Sequence, residues 1–264
     1  MARIGVAATA GFGADVLEGL AERHDIAFLL TRPDRPAGRG RRTTAPPAKV
    51  VAEGLGIPVL QPERPAEAEL DAETIVLVAY GALIPSELLE RHEWLNVHPS
   101  SLPRWRGAAP VERAIMAGDE EGGVTVIRLV EELDAGPIGA WHDLWIGGDR
   151  TAGDVHAEAA RLAPDLIDEA LANDDFAAQQ GEATYAEKIG PADRELDWSR
   201  PPKELHDRIR ALSPHIGARG ELEGRRVIVW RSRLDGDRLE LLEVQPEGGK
   251  RMPYEDWLRG LRSV

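Results

Sequence analysis

The stretch TIVLVAY, residues 74–80, constrains this chain more than any other. It carries no charged side chain and does not alternate apolar with polar. A strand with one wet face alternates, whereas this one calls for cover on both faces, as an interior strand of a parallel sheet has. The flanking sequence supplies the cover. RIGVAA (3–8) and DIAFLL (25–30) read as strands, with helical spacing over 13–23 between them. A helix is expected over 45–56, a strand over 94–99, and a helix over 109–118 with Pro at its first turn and Gly at its end. An alternating strand over 123–130 and a long closing helix over 152–173 follow. Strand alternating with helix predicts an α/β fold, a Rossmann-like and mostly parallel sheet, over residues 1–180.

The pattern changes after Asn173. Weak periodicity over 174–196 reads as a connection, with the linker set at 181–199. Beyond it lies a small, mainly β domain, residues 200–264. It opens with a helix over 201–213 and holds a hairpin, 225–234 with 238–244, around Asp235–Gly236. A short helix over 254–262 ends it.

Composition narrows the function. No cysteine is present, which excludes a disulfide frame, a thiol nucleophile and Cys-ligated zinc. The longest apolar run, 75–84, falls short of the ~18 residues of a membrane span, and the N-terminus has no signal-peptide pattern. A cytoplasmic enzyme fits. The net charge of −14 speaks against nonspecific nucleic-acid binding by the whole surface. The charge is uneven, however. From Lys188 onward 16 basic residues face 14 acidic ones, and TRPDRPAGRGRRTT (31–44) holds five arginines against one acid. A polyanion would therefore be met by a patch.

The chemistry-bearing segment is LNVHPSSLPRWRGAAP, residues 95–110. On a strand, residues i and i+2 project to one face, so Asn96 and His98 point together at the strand's C-terminal end, where open α/β sheets bind ligands. A proline-bounded loop then leaves that edge. Asp134, after the next strand, is within reach of the same edge. An amide and a protonated imidazole can donate to a developing oxyanion, and a carboxylate can orient the imidazole and help remove an amine proton. Together these groups suit acyl transfer to an amine. A His on a strand is usually structural, though, and Asn and Asp in loops usually form turns, so residue types alone leave both readings open.

A resemblance bears on the choice. Residues 96–138 resemble the core of the 10-formyltetrahydrofolate-dependent formyltransferases, with their Asn-x-His-x-Ser-Leu-Leu-Pro pattern, aromatic-Arg-Gly segment and Leu-Asp-x-Gly. The resemblance implies that Asn96, His98 and Asp134 are catalytic. It implies that Ser100, Ser101, Leu102 and Pro103 form the folate loop, with Ser101 where the family usually has Leu. Residues 31–62 resemble the insert of the members that act on methionyl-tRNA, a loop that enters the acceptor stem. Arg35, Arg39, Arg41 and Arg42 would then contact tRNA, Arg39 above all. Residues 6–20 resemble the family's opening and place Phe12 at the substrate, with Ala8 and Ala10 where Gly and Pro are usual. Residues 183–214 match the start of the C-terminal domain, a β-barrel in the family and abbreviated here. The implied formyl donor is 10-formyltetrahydrofolate, the implied acceptor initiator methionyl-tRNA, and a monomer is expected. The remaining histidines show no ligand spacing, and no metal is expected. Two alternatives share these features: transfer to another amine, such as a nucleotide-linked amino sugar, and a non-catalytic folate- or RNA-binding relative.

Overall fold

Ile75, Val76 and Val78 are fully buried, as an interior strand requires. In the computed structural model, which describes residues 1–37, 42–173 and 175–262, this strand lies at the middle of a seven-stranded sheet. The strands of the first half of the chain are β1 (Arg3–Ala8), β2 (Asp25–Leu30), β3 (Arg35–Ala37), β4 (Arg42–Thr44), β5 (Val59–Leu60), β6 (Thr74–Val78) and β7 (Glu93–His98). Then come β8 (Arg106–Gly107), β9 (Glu121–Arg128), β10 (Ile138–Trp145) and β11 (Tyr185–Ala186). The helices here are α1 (Gly11–Ala21), α2 (Pro47–Gly54), α3 (Ser86–Arg91), α4 (Pro110–Met116) and α5 (Ala152–Ala172). The sheet order is β10-β9-β7-β6-β1-β2-β5. Strands β5, β2, β1, β6 and β7 run parallel, and β9 is antiparallel to β7. The fold is the mostly parallel, Rossmann-like sheet with helices expected from the sequence.

Strands β9 and β10 differ from the sequence reading. Residues 123–127 are all buried rather than alternately buried, because β9 is an inner strand between β7 and β10. Strand β10 has no signature in the sequence reading. It is an edge strand, and its exposed Trp141, His142 and Asp143 interrupt the apolar pattern.

Contacts divide the chain into two units. The first comprises 1–106, 123–143 and 157–183. Its core includes Phe28, Leu30, Ile75, Tyr80, Leu88 and Trp94. The second comprises 107–122, 144–156 and 184–264. It adds α6 (Pro202–Ala211), α7 (Tyr254–Arg262) and strands β12 (Ala218–Leu222), β13 (Arg225–Asp235), β14 (Arg238–Pro246) and β15 (Met252–Pro253). These four strands form an antiparallel sheet in chain order. Asp235 pairs with Arg238, so the hairpin turn is Gly236–Asp237, one residue later than the sequence suggested. Leu205, Ile209 and Leu212 of the α6 segment share a core with Val227, Val229, Val244 and Trp257. Among the described residues no helix is long and apolar enough to cross a membrane.

The second unit holds a buried histidine. His206 Nδ1 lies 2.9 Å from Ser232 Oγ, and Nε2 lies 3.1 Å from the exposed carboxylate of Asp149. Burial holds its pKa below the ordinary histidine range. Asp149, the backbone at Gly148 and Asp207 pull the other way, while Arg210 adds to the lowering. The folded state thus keeps His206 neutral at a pH where the unfolded chain binds a proton. Its contribution to stability is present above the ordinary histidine pKa and is lost as pH falls below it. Melting curves should show a falling midpoint between about pH 7.5 and about pH 5.5, and His206→Gln should flatten that slope.

Candidate active site

Strand β7 ends in Asn96-Val97-His98, flanked by β6 on one side and β9 on the other. Asn96 lies opposite Ile127 and His98 opposite Thr125, so the pleat turns both side chains to one face at the strand's C-terminal edge. Both are buried, as is Asp134.

The three side chains converge. Asn96 Nδ2 donates to Asp134 Oδ1 at 3.2 Å, and His98 Nδ1 faces Asp134 Oδ2 at 3.7 Å. The second distance is an ion-pair spacing and too long for a hydrogen bond. His98 Nε2 lies 2.8 Å from the Trp105 carbonyl. A carbonyl only accepts, so Nε2 carries the proton, and Nδ1 becomes a donor when the ring is protonated. The carboxylate facing Nδ1 is then the counter-charge. Trp105 and Asp134 have φ of 64° and 49°. The two residues that meet the imidazole are thus both non-glycine residues in the left-handed region, which costs about 1–3 kcal/mol each and persists only where the surroundings enforce it.

The loop after His98 is held by Thr125 of β9 and by a bond of its own. Thr125 Oγ1 donates to the Ser100 carbonyl (2.6 Å) and accepts from the Leu102 N–H (3.4 Å). Ser100 Oγ donates to the Arg104 carbonyl (2.8 Å). Ser101 packs against Gly123, where a Cβ would collide with Ser101 Oγ and with the His142 carbonyl. A small residue at 101 therefore sits against a glycine on β9. The Asp134 loop closes on the same principle, since a Cβ on Gly136 would overlap the Arg128 carbonyl. Leu-Asp-Ala-Gly can approach the strand that closely only with glycine last.

The sequence pattern singled out other residues as well. Phe12 is half-buried at the second position of α1. Arg35 and Arg42 lie on the β3–β4 ribbon, where Arg35 pairs with Thr44 and Ala37 with Arg42. Arg35 is exposed. Arg39 and Arg41 lie outside the described residues. Three groups at the site were given no role by the sequence reading, although Arg106 stands in its aromatic-Arg-Gly segment. One is the Trp105 carbonyl, a backbone contact. The others are Arg106 and Gln179: Gln179 Nε2 donates to the carbonyls of Asp134 and Gly136, and its Oε1 accepts from Arg106.

An amide N–H and, once the ring is protonated, an imidazole N–H beside a carboxylate, buried at a sheet edge, can stabilise an oxyanion and accept a proton. Comparison with known proteins agrees with that chemistry. A family model described as formyl transferase matches residues 3–171, and one described as formyl transferase, C-terminal domain, matches residues 188–238. A methionyl-tRNA formyltransferase of Paracoccus denitrificans is 39% identical over 284 residues, covering 96% of this chain and 95% of that protein. One from Xanthomonas axonopodis pv. citri is 42% identical, covering 93% and 84%. Among solved structures, methionyl-tRNA formyltransferase from Clostridium thermocellum superposes with a TM-score of 0.67 at 18% identity, over 93% of this chain and 99% of that one. A 4-N formyltransferase from Francisella tularensis gives 0.68 at 17%, over 89% and 98%. These two neighbours fit equally well, so the fold by itself does not select an acceptor.

Proposed function

The chain belongs to the formyl transferase family, and on that premise we propose that it moves the formyl group of 10-formyltetrahydrofolate to the α-amine of initiator methionyl-tRNA, in the cytoplasm. The observation that carries the chemistry is the convergence of Asn96 Nδ2 and His98 Nδ1 on the two oxygens of the buried Asp134 carboxylate. Relatives about 40% identical over nearly the whole chain support the acceptor.

The donor, when bound, supplies an electrophilic formyl carbon on a nitrogen that takes the electron pair and a proton as the old C–N bond breaks. The residues present fit it: an amide and a protonated imidazole for one carbonyl oxygen, a carboxylate beside them, and the loop 100–103 fastened to β9 alongside. As the amine attacks the formyl carbon, the Asn96 amide offers its second N–H to the carbonyl oxygen, the first being spent on Asp134. Protonated His98 donates through Nδ1, its Nε2–H remaining on the Trp105 carbonyl. Asp134 balances the imidazolium charge and accepts the proton lost by the attacking amine, directly or through water. The reaction is assigned to the first 180 residues, with residues 200–264 assisting tRNA association. Arg35, Arg39, Arg41 and Arg42 are assigned to the acceptor arm.

The test is an acceptor panel: 10-formyltetrahydrofolate with initiator methionyl-tRNA, uncharged tRNA, or nucleotide-linked amino sugars. Methionyl-tRNA should be formylated, with apparent affinity falling as salt rises, as counterion release requires. Arg39→Ala should weaken the tRNA reaction and leave binding of the folate unchanged. Formylation of a sugar with none of the aminoacyl-tRNA would overturn the reading.

A further inference from the structure

Two groups meet the imidazole of His98, the Trp105 carbonyl and the Asp134 carboxylate. Both belong to backbone that one side-chain pair ties together. Gln179 Nε2 donates to the Asp134 carbonyl at 2.7 Å and to the Gly136 carbonyl at 2.9 Å. Gln179 Oε1 accepts from Arg106 Nε at 3.1 Å and Nη2 at 2.7 Å. Arg106 directly follows Trp105, is buried, and donates through Nη1 to Glu132 Oε1 at 3.0 Å. Both N–H groups of the Gln179 amide are thus spent on carbonyls of the Asp134 loop, and its oxygen on the guanidinium fork.

The segment that brings Gln179 here is fastened to the base of β10, just beyond that loop. Asn173 Nδ2 donates to the Gly139 carbonyl at 3.2 Å. Ala177 and Ile138 exchange backbone hydrogen bonds of 2.7 and 2.9 Å. The Phe176 ring lies 4.1 Å beneath the Arg128 guanidinium and against Gly139. This much anchoring delivers one amide to the loop that carries Asp134.

We infer that Gln179, together with Arg106, is a positioning residue for formyl transfer, which fixes Asp134 and the Trp105 carbonyl about His98. The inference rests on the proposed roles of His98 and Asp134. Glutamate at 179 keeps an acceptor for Arg106 but removes both donors and sets a charge against two carbonyls. Alanine removes the whole link. Misplacing a catalytic group by about 1 Å costs up to about 100-fold in rate, with little effect on binding.

The experiment compares full-length wild type, Gln179→Glu, Gln179→Ala and Arg106→Lys, with folding checked by circular dichroism. The kcat for formylation should fall about 10–100-fold in both Gln179 variants, with KM for both substrates changed no more than about 3-fold. Arg106→Lys, which keeps the charge but not the fork, should fall between them and wild type. In 15N-histidine-labelled protein the ring signal of His98, assigned by its loss in His98→Ala, should be displaced in each Gln179 variant. A lower melting point with kcat per folded molecule and the His98 signal both unchanged would make the role merely structural and overturn the inference. If wild type formylates no methionyl-tRNA, the proposed function fails, and the His98 signal still decides whether Gln179 positions the ring.

Discussion

His98→Ala should form formylmethionyl-tRNA about 10²–10³-fold more slowly than wild type, the usual consequence of removing one oxyanion donor. The imidazole is held at Nε2 by the Trp105 carbonyl and faces a carboxylate at Nδ1, so its orientation exists before substrate arrives. Such preorganisation matters in the transition state and little in the ground state, so the loss belongs in kcat while KM stays near its wild-type value. Asn96→Ala should behave alike. The double variant should be less than multiplicatively slower, because the two donors serve one oxygen. Single-turnover and steady-state kinetics on proteins shown to be folded provide the check.

Arg210→Met should destabilise the second unit by about 3–5 kcal/mol, because it breaks a buried ion pair from one side. Arg210 and Asp207 are both almost wholly buried, with Arg210 Nε donating to Asp207 Oδ1 at 2.8 Å. The Arg210 Nη1 also donates to the carbonyls of Ile146 (2.6 Å) and Arg150 (3.0 Å), and both of these bonds are lost in the variant. Among the described residues Asp207 then keeps Lys203, bonded at 2.7 Å from a largely exposed side chain. A fall on the order of 10 °C in melting midpoint is expected. The double variant Arg210→Met/Asp207→Leu should recover part of that loss, since it leaves no orphaned charge.

Periodicity in side chains made much of this legible. The apolar run at 74–80 announced an interior strand, and the spacing of Asn96 and His98 put both on one face at a strand end. The helices from α4 to α7 lie within two residues of where Pro, Gly and apolar spacing placed them. What escaped has a physical reason. Strand β10 is an edge strand with exposed Trp141, His142 and Asp143, so no apolar pattern marks it. The Trp105 carbonyl is backbone, and no residue type advertises a backbone contact. Gln179 lies in a segment without periodicity, because its anchors are single contacts made by Asn173, Phe176 and Ala177. Its position is set by the long-range pairing of Ala177 with Ile138, which composition does not encode.

In the proposed mechanism one buried carboxylate, facing an amide and an imidazole, drives formyl transfer to methionyl-tRNA. Asp134→Asn tests it most directly, since the amide keeps the shape of the side chain and removes its charge and its capacity to accept a proton. The measurement is the first-turnover rate of formyl transfer to initiator methionyl-tRNA, with folding and binding of a folate analogue measured on the same preparation. Folded protein, unchanged analogue binding and a rate lower by at least about 100-fold are expected. A folded Asp134→Asn protein that transfers the formyl group at the wild-type rate would contradict it.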